Sequence, residues 1–214
     1  MLWLCIAAAL CFAVFLPGFL LLRKRHPALG AASKGLATAC AVAMAAAAAF
    51  MGGGRLWMCV AALVCCAAAD VLLEGNLMLG MGAFICGHMW YILWFAGRRT
   101  PGLPHVLLFI ALAVCAALLL ARWRKPIGSR LPPFIAYAVV LCVMGACGIA
   151  CYQEASAAGL LAAFGAGMFV LSDMLVCQGI VQPTGRFHGA VTMVTYEAAQ
   201  LLLAASAAAV AGMI

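Results

Sequence analysis

Asp70-Val71-Leu72-Leu73-Glu74-Gly75-Asn76-Leu77, with His88 and Tyr91 in the run that follows, is the stretch on which the reading of the fold turns. Two acids close one apolar run, a short Gly75-Asn76 turn follows, and a second apolar run opens at Leu77. A turn that short makes the two runs antiparallel helical neighbours. Around them lie 214 residues, 69% hydrophobic and 8% charged, with a mean hydropathy of +1.21. That balance excludes a water-soluble globular domain. Apolar runs of about 20 residues cross a bilayer as helices, because only helices and closed barrels satisfy every backbone group there. The runs lack the period-two alternation of a barrel. The expectation is an all-α polytopic membrane helix bundle of about eight transmembrane helices, one domain over residues 1–214.

The first run, about Leu2 to Leu22, is followed by Arg23-Lys24-Arg25-His26-Pro27. A cleavable leader carries its positive charge before the apolar run, so this run is expected to stay as an anchor. The second begins near Lys34 and reaches about Met51, where Gly52-Gly53-Gly54-Arg55 breaks it. The third, about Leu56 to Leu73, has Asp70 in its last turn and Glu74 at its end, and the fourth covers about Leu77 to Ala96. The fifth takes about Pro104 to Ala121 and stops at Arg122-Trp123-Arg124-Lys125-Pro126. The sixth spans about Pro133 to Tyr152 and the seventh about Ala157 to Cys177. After the loop from Gln178 to Gly189, the eighth runs to the C-terminus.

The formal charge of +7 comes from 12 Lys and Arg against 5 Asp and Glu, mostly in short loops, where it orients the chain rather than binding nucleic acid. Loops after the odd-numbered runs carry nine basic residues, counting Lys34, and those after the even-numbered runs carry three. The first set is then cytoplasmic, with both termini facing outward from a cytoplasmic membrane. The 12 cysteines include no CxxC and fall mostly inside apolar runs, so they read as small buried hydrophobes rather than disulfides or a zinc site.

Ionisable side chains inside a membrane are costly, about 2.5–3.5 kcal/mol for an aspartate at a helix centre, and are functional-site candidates by default. By parity of the runs, Lys34, Asp70, Glu74, Asp173 and Glu197 all approach the boundary formed by the loops after runs 1, 3, 5 and 7. His88 lies 11 residues beyond Leu77, which at about 1.5 Å per residue is near the midplane. The layout suggests a polar cavity open to one leaflet, with His88 towards its floor and Glu154 alone on the opposite side. Asp70 and Glu74 share a helix face, as do Phe84, His88 and roughly Tyr91, while Tyr196 and Gln200 are four apart. Small residues at Gly80, Ala83, Gly87, Gly159, Ala163 and Ala166 allow close helix approach. Structural readings stand beside these. Glu74 can be a solvated helix end, Lys34 can snorkel to the headgroups, and His88 can be a packing histidine. Ser172 can bond a backbone carbonyl, since no histidine is near in sequence to activate it.

The order Asp70, Phe84-x3-His88-x2-Tyr91, Phe169-x2-Ser172-Asp173 and Tyr196-x3-Gln200-x-Leu202 resembles the YhhN-like integral membrane family, whose animal members are lysoplasmalogenases. The resemblance runs from Lys34 to about Leu203 and also implies eight spans. The chain departs from the family pattern in having Lys34-Gly35 where Lys-Pro is typical and Ala69-Asp70 where Gly-Asp is typical. By this resemblance Asp70 and Asp173 are the expected catalytic aspartates, with His88 assisting. Lys34, Glu74, Tyr91, Ser172, Tyr196, Glu197 and Gln200 are the expected accessory or substrate-binding positions.

The implied reaction is hydrolysis of the vinyl-ether bond of a lysoplasmenyl lipid, a lysophospholipid, to a fatty aldehyde and glycerophospho-ethanolamine or -choline. Its slow step is protonation of the vinyl carbon, giving an oxocarbenium ion that water attacks. Two acids sharing a site push their titrations apart, so one donates while the other stays ionised, as in glycoside hydrolysis. His88 can orient or relay the water, and Lys34 can meet the lipid phosphate. This chemistry requires no cofactor or metal, although His88, Asp70 and Asp173 would suffice as three ligands. The alternative from another class is a proton-coupled transporter or small-molecule receptor built on the same polar residues.

Overall fold

The computed structural model describes residues 2–100 and 102–214, and its secondary structure is helical throughout the described residues. The eight apolar runs become eight helices: α1 (2–22, with a π-helical segment at Cys11–Phe15), α2 (Pro27–Gly52), α3 (Leu56–Gly75), α4 (Leu77–Arg98), α5 (Leu103–Ile127), α6 (Leu131–Ala150), α7 (Ala157–Val181) and α8 (His188–Val210). Seven helical stretches among the described residues are long and apolar enough to cross a membrane. The longest, 103–154, holds both α5 and α6. These two turn at Gly128–Arg130 and pack against each other, so the stretch doubles back on itself.

Several boundaries differ from expectation, each for a local reason. Helix α2 starts at Pro27 rather than near Lys34, because Pro at the first helical position fits the helix without losing a needed N–H. Lys34 is therefore about two turns inside the helix. The basic cluster Arg122-Trp123-Arg124-Lys125 does not end α5, which continues to Ile127. Arg and Lys are good helix formers, and their long stems carry the charge out to the headgroups. Helix α7 likewise runs on to Val181, leaving Ser172 and Asp173 more than two turns from its end.

The α3–α4 connection is as tight as the short turn requires. Asn76 caps α4, its side chain accepting from Met78 N at 2.9 Å and Leu79 N at 3.2 Å. Gly80 lets the hairpin close, since a Cβ there would lie 2.7 Å from the Cα of Leu73. At the other break, Gly53 and Gly54 adopt φ of 63° and 52°, the left-handed region that ends α2 cheaply.

Packing follows a closed ring in which α2, α3, α4, α6, α7 and α8 each touch the next and α8 returns to α2. Helix α1 lies outside against α2, and α5 lies outside against α6. Only His105 and Ile127 of α5 are buried among its described residues, so it is a peripheral wall. Alanines of α2 and α8, with Phe95, Phe169, Leu63 and Leu203, fill the ring.

Candidate active site

All seven helices from α2 to α8 deliver side chains to one cavity, with an empty volume of about 920 Å³ including its mouth. Lys34, Asp70, Asp173, Tyr137 and Tyr196 supply its polar lining, and the rest is mainly apolar, with Met81, Leu120, Trp123 and Phe134 among the walls. Apart from Leu141 at the centre of α6, the lining comes from the helix halves nearer the connections after α1, α3, α5 and α7.

Two polar clusters meet this space. In the first, Asp70 Oδ2 accepts from the Thr38 hydroxyl at 2.5 Å and from the Tyr196 hydroxyl at 2.8 Å. Lys34 Nζ stands 3.6 Å from Asp70 Oδ1 and 3.3 Å from Glu74 Oε1, and over the Phe19 ring. Two hydroxyl donors and an ammonium are the partners a carboxylate needs, and Asp70 is fully buried with them. In the second cluster the Tyr137 hydroxyl donates to Asp173 Oδ2 at 2.7 Å. Its oxygen is then free to accept from His88 Nε2, 3.2 Å away, and that nitrogen lies 3.5 Å from the same aspartate oxygen. Phe169 wedges between the clusters, edge-on to Phe84, His88, Tyr91 and Tyr196.

The arrangement brings together Lys34, Asp70, Asp173, His88 and Tyr196, and it corrects several expectations. Lys34 does not snorkel: it is 6% exposed because two carboxylates hold it inward. Glu74 is not a free solvated helix end but the outer partner of Lys34 at the rim, partly exposed. Ser172 turns away from the cavity and donates to the Thr192 carbonyl at 3.2 Å. Tyr91 and Gln200 do not line the cavity either. They bond each other at 2.8 Å in the ring core. Glu197 does not line the cavity; it is fully buried, with the Cys11 thiol 3.6 Å from Oε2.

Glu154 is not alone. Arg98 donates to both of its carboxylate oxygens, at 3.0 and 2.7 Å. Thr38 and Tyr137 were missed by the sequence reading. Thr38 stands one helical turn after Lys34 on the same face, a spacing that could have flagged it. Tyr137, a lone tyrosine in an apolar run, carried no comparable signal. His88, Asp70 and Asp173 face different partners, and no group of three His, Cys, Asp or Glu side chains among the described residues is placed to hold a metal ion.

The fold and site define a class: a multi-pass α-helical integral membrane protein with two buried aspartates facing one apolar cavity. The chain belongs to the YhhN family, whose family model matches residues 29–207. It is 36% identical over 159 residues to Lysoplasmalogenase TMEM86B of Homo sapiens, covering 72% of this chain and 65% of that protein. It is 32% identical over 160 residues to Lysoplasmalogenase TMEM86B of Rattus norvegicus, covering 73% and 64%. The match thus spans just under two thirds of these curated relatives' length. No solved structure matches the chain.

Proposed function

We propose that this protein is a lysoplasmalogenase, a membrane hydrolase that cleaves the vinyl-ether bond of a lysoplasmenyl-ethanolamine or -choline to a fatty aldehyde and the glycerophospho-base. The observation that carries this reading is the single cavity onto which both Asp70 and Asp173 open, otherwise walled by lipid-like side chains. Its volume, about 920 Å³ with its mouth, is in the range of sites that enclose a small lipid or drug-sized ligand. The names of the relatives support the same activity.

In this reading the alkenyl chain lies along Met81, Leu120, Trp123 and Phe134, and the phosphate meets Lys34 at the rim. One aspartate protonates the vinyl carbon, moving the double-bond electrons into a C=O⁺ oxocarbenium ion. The other, ionised, faces the developing positive charge, the placement that electrostatic catalysis requires. Water then attacks the cation, loses a proton to a carboxylate, and the hemiacetal collapses to aldehyde and alcohol. Tyr137 and His88 hold Asp173 in place, while Thr38 and Tyr196 hold Asp70. The mouth lies at the cytoplasmic leaflet and both termini lie on the far side, following the bias of basic loops. Removing Lys34 from that count, since it is buried in α2, leaves the direction of the bias unchanged.

The test is aldehyde release by purified protein from lysoplasmenyl-ethanolamine and -choline, with the saturated alkyl-ether lipid as control. Release from the vinyl ethers alone is the expected result. Cleavage of the alkyl ether as well would remove vinyl protonation from the mechanism. No release from either, with solute uptake into proteoliposomes, would replace the hydrolase by a transporter.

A further inference from the structure

The outer faces of a membrane bundle are apolar everywhere, so an apolar face by itself marks nothing, but the face between α5 and α6 differs in shape. The two helices approach at Leu112 and Gly145, where a Cβ on the glycine would lie 3.1 Å from Leu112 Cδ1. They meet again near their connection, where Ile127 and Phe134 share a small buried cluster with Met81. Between these contacts a groove remains, with an empty volume of about 740 Å³ including its open side. Ala113, Ala117 and Ala121 of α5 and Ile135, Val139 and Cys142 of α6 wall it. Alanines this small usually draw helices together. Here bulkier side chains at both ends set the spacing, and a slot is left. Along α5 it runs from residue 113 to residue 124, about 16 Å at about 1.5 Å per residue.

The groove is continuous with the cavity. Ala116, Leu120 and Ala138 line both, so one layer of side chains, two of them alanines, separates the two spaces. At its end towards the membrane boundary the groove is closed by Arg124. That side chain is exposed and joins no ion pair among the described residues. Arg122, Lys125 and Arg130 lie close in sequence but do not line the groove. A guanidinium at headgroup level above an apolar slot that runs inward is complementary to a phosphate-bearing lipid standing in that leaflet.

We propose that the α5–α6 groove is the loading site for the lysophospholipid substrate, with the phosphate on Arg124 and the chain in the slot, and that the lipid passes sideways into the cavity past Ala116, Leu120 and Ala138. The proposal rests on the lysoplasmalogenase reading for the identity of the lipid. Entry from the side keeps the chain in hydrocarbon throughout. Entry through a water-facing mouth would draw it across the aqueous boundary, at a cost that grows with its length. Once inside, the phosphate exchanges Arg124 for Lys34, and the far end of the chain can stay in the groove.

The test uses the full-length protein in nanodiscs of diacyl phospholipid, with a saturated alkyl-ether lysophospholipid carrying a diazirine near its chain end. Light should attach this probe to peptides covering residues 113–124 and 131–142, and excess unlabelled lysophospholipid should compete the label away. A fatty alcohol of the same chain length, lacking the phosphate, should compete poorly. Arg124→Gln should weaken labelling at limiting probe by about fivefold. Ala117→Trp, at an exposed position on the groove wall, should abolish it. In turnover both variants should lower kcat/KM with kcat held. Label spread evenly over the outer faces of the other helices, or undiminished by the competitor, would reduce the groove to ordinary lipid contact and overturn the proposal. Full kcat/KM in both variants would overturn it as well. A wild type that releases no aldehyde yet shows competed labelling of the groove would sink the hydrolase reading and leave the lipid site standing.

Discussion

At one end of the bundle Arg98 makes two hydrogen bonds to Glu154 and a third, at 2.8 Å, to Ser206, which in turn donates to the Ala158 carbonyl at 2.7 Å. The guanidinium also lies 4.9 Å over the Trp94 ring. Towards the other end Lys34 faces Asp70 and Glu74. The first cluster is balanced, one cation to one anion in a bidentate geometry that uses the planar fork of arginine. The second leaves Asp70 Oδ1 buried without a hydrogen-bond partner, whereas no such atom occurs in the Arg98 cluster among the described residues. Both clusters tie helices together, but only the unbalanced one opens onto the cavity. A satisfied network rigidifies a structure, and an unsatisfied one persists where something other than stability retains it.

The sharpest way to break this contrast is to exchange the expected consequences. Asp70→Asn and Asp173→Asn preserve shape and remove an acid, so aldehyde release should fall by about a thousandfold for each. Thermal unfolding in detergent should move little for Asp173→Asn and fall further for Asp70→Asn, which removes one of the two carboxylates that hold Lys34. Near-normal turnover in either variant would remove that aspartate from the chemistry. Arg98→Ala should do the opposite. It strands Glu154 without its two charged hydrogen bonds and lowers stability by about 2 kcal/mol, read by denaturation in detergent. Turnover per folded molecule should hold. Arg98→Lys should recover only part of the stability, because an ammonium cannot reproduce the fork. A loss of activity larger than the loss of folded protein would show that the clasp is not merely structural.

The contrast was only half visible in the sequence, and the reason lies in what a membrane makes costly. Apolar runs, the Gly52-Gly53-Gly54 break and the Gly75-Asn76 turn reveal the helices because hydropathy sums over a whole span. Asp70, His88 and Asp173 stand out because a lone ionisable group in hydrocarbon is anomalous by itself. Parity then orders them by depth, which is why His88 could be expected below the aspartates. Thr38 and Tyr137 carry no such penalty and look like ordinary packing residues, yet they make the shortest hydrogen bonds to the two aspartates. The Arg98–Glu154 clasp was hidden for another reason. Its members sit at the end of α4 and in the α6–α7 connection, 56 residues apart, and only the ring closure of the helices brings them together. The ends of α2 and α5 were displaced because Pro27 starts a helix and Arg122 to Lys125 do not stop one.

Two smaller effects sharpen the comparison within the open cluster. Tyr137→Phe removes the donor to Asp173 and the acceptor for His88 while keeping the ring. Turnover should fall by about tenfold at unchanged KM, measured as aldehyde release, and unaltered turnover would free Asp173 from any dependence on this hydroxyl. Ser172→Ala should do least. Ser172 precedes Asp173 and invites a nucleophile's role, but its hydroxyl donates to the Thr192 carbonyl, away from the cavity. That carbonyl also accepts from Thr195 Oγ1 at 2.9 Å, so deleting the serine hydroxyl leaves no orphaned acceptor. The cost should be about 0.5 kcal/mol of stability, the lower end for a buried hydrogen bond, with aldehyde release changed by less than about twofold. A nucleophilic serine would instead lose nearly all turnover on this substitution. The measurement therefore separates a residue that only joins α7 to α8 from one that reaches the substrate, at the position where the two aspartate-bearing and serine-bearing faces of α7 diverge.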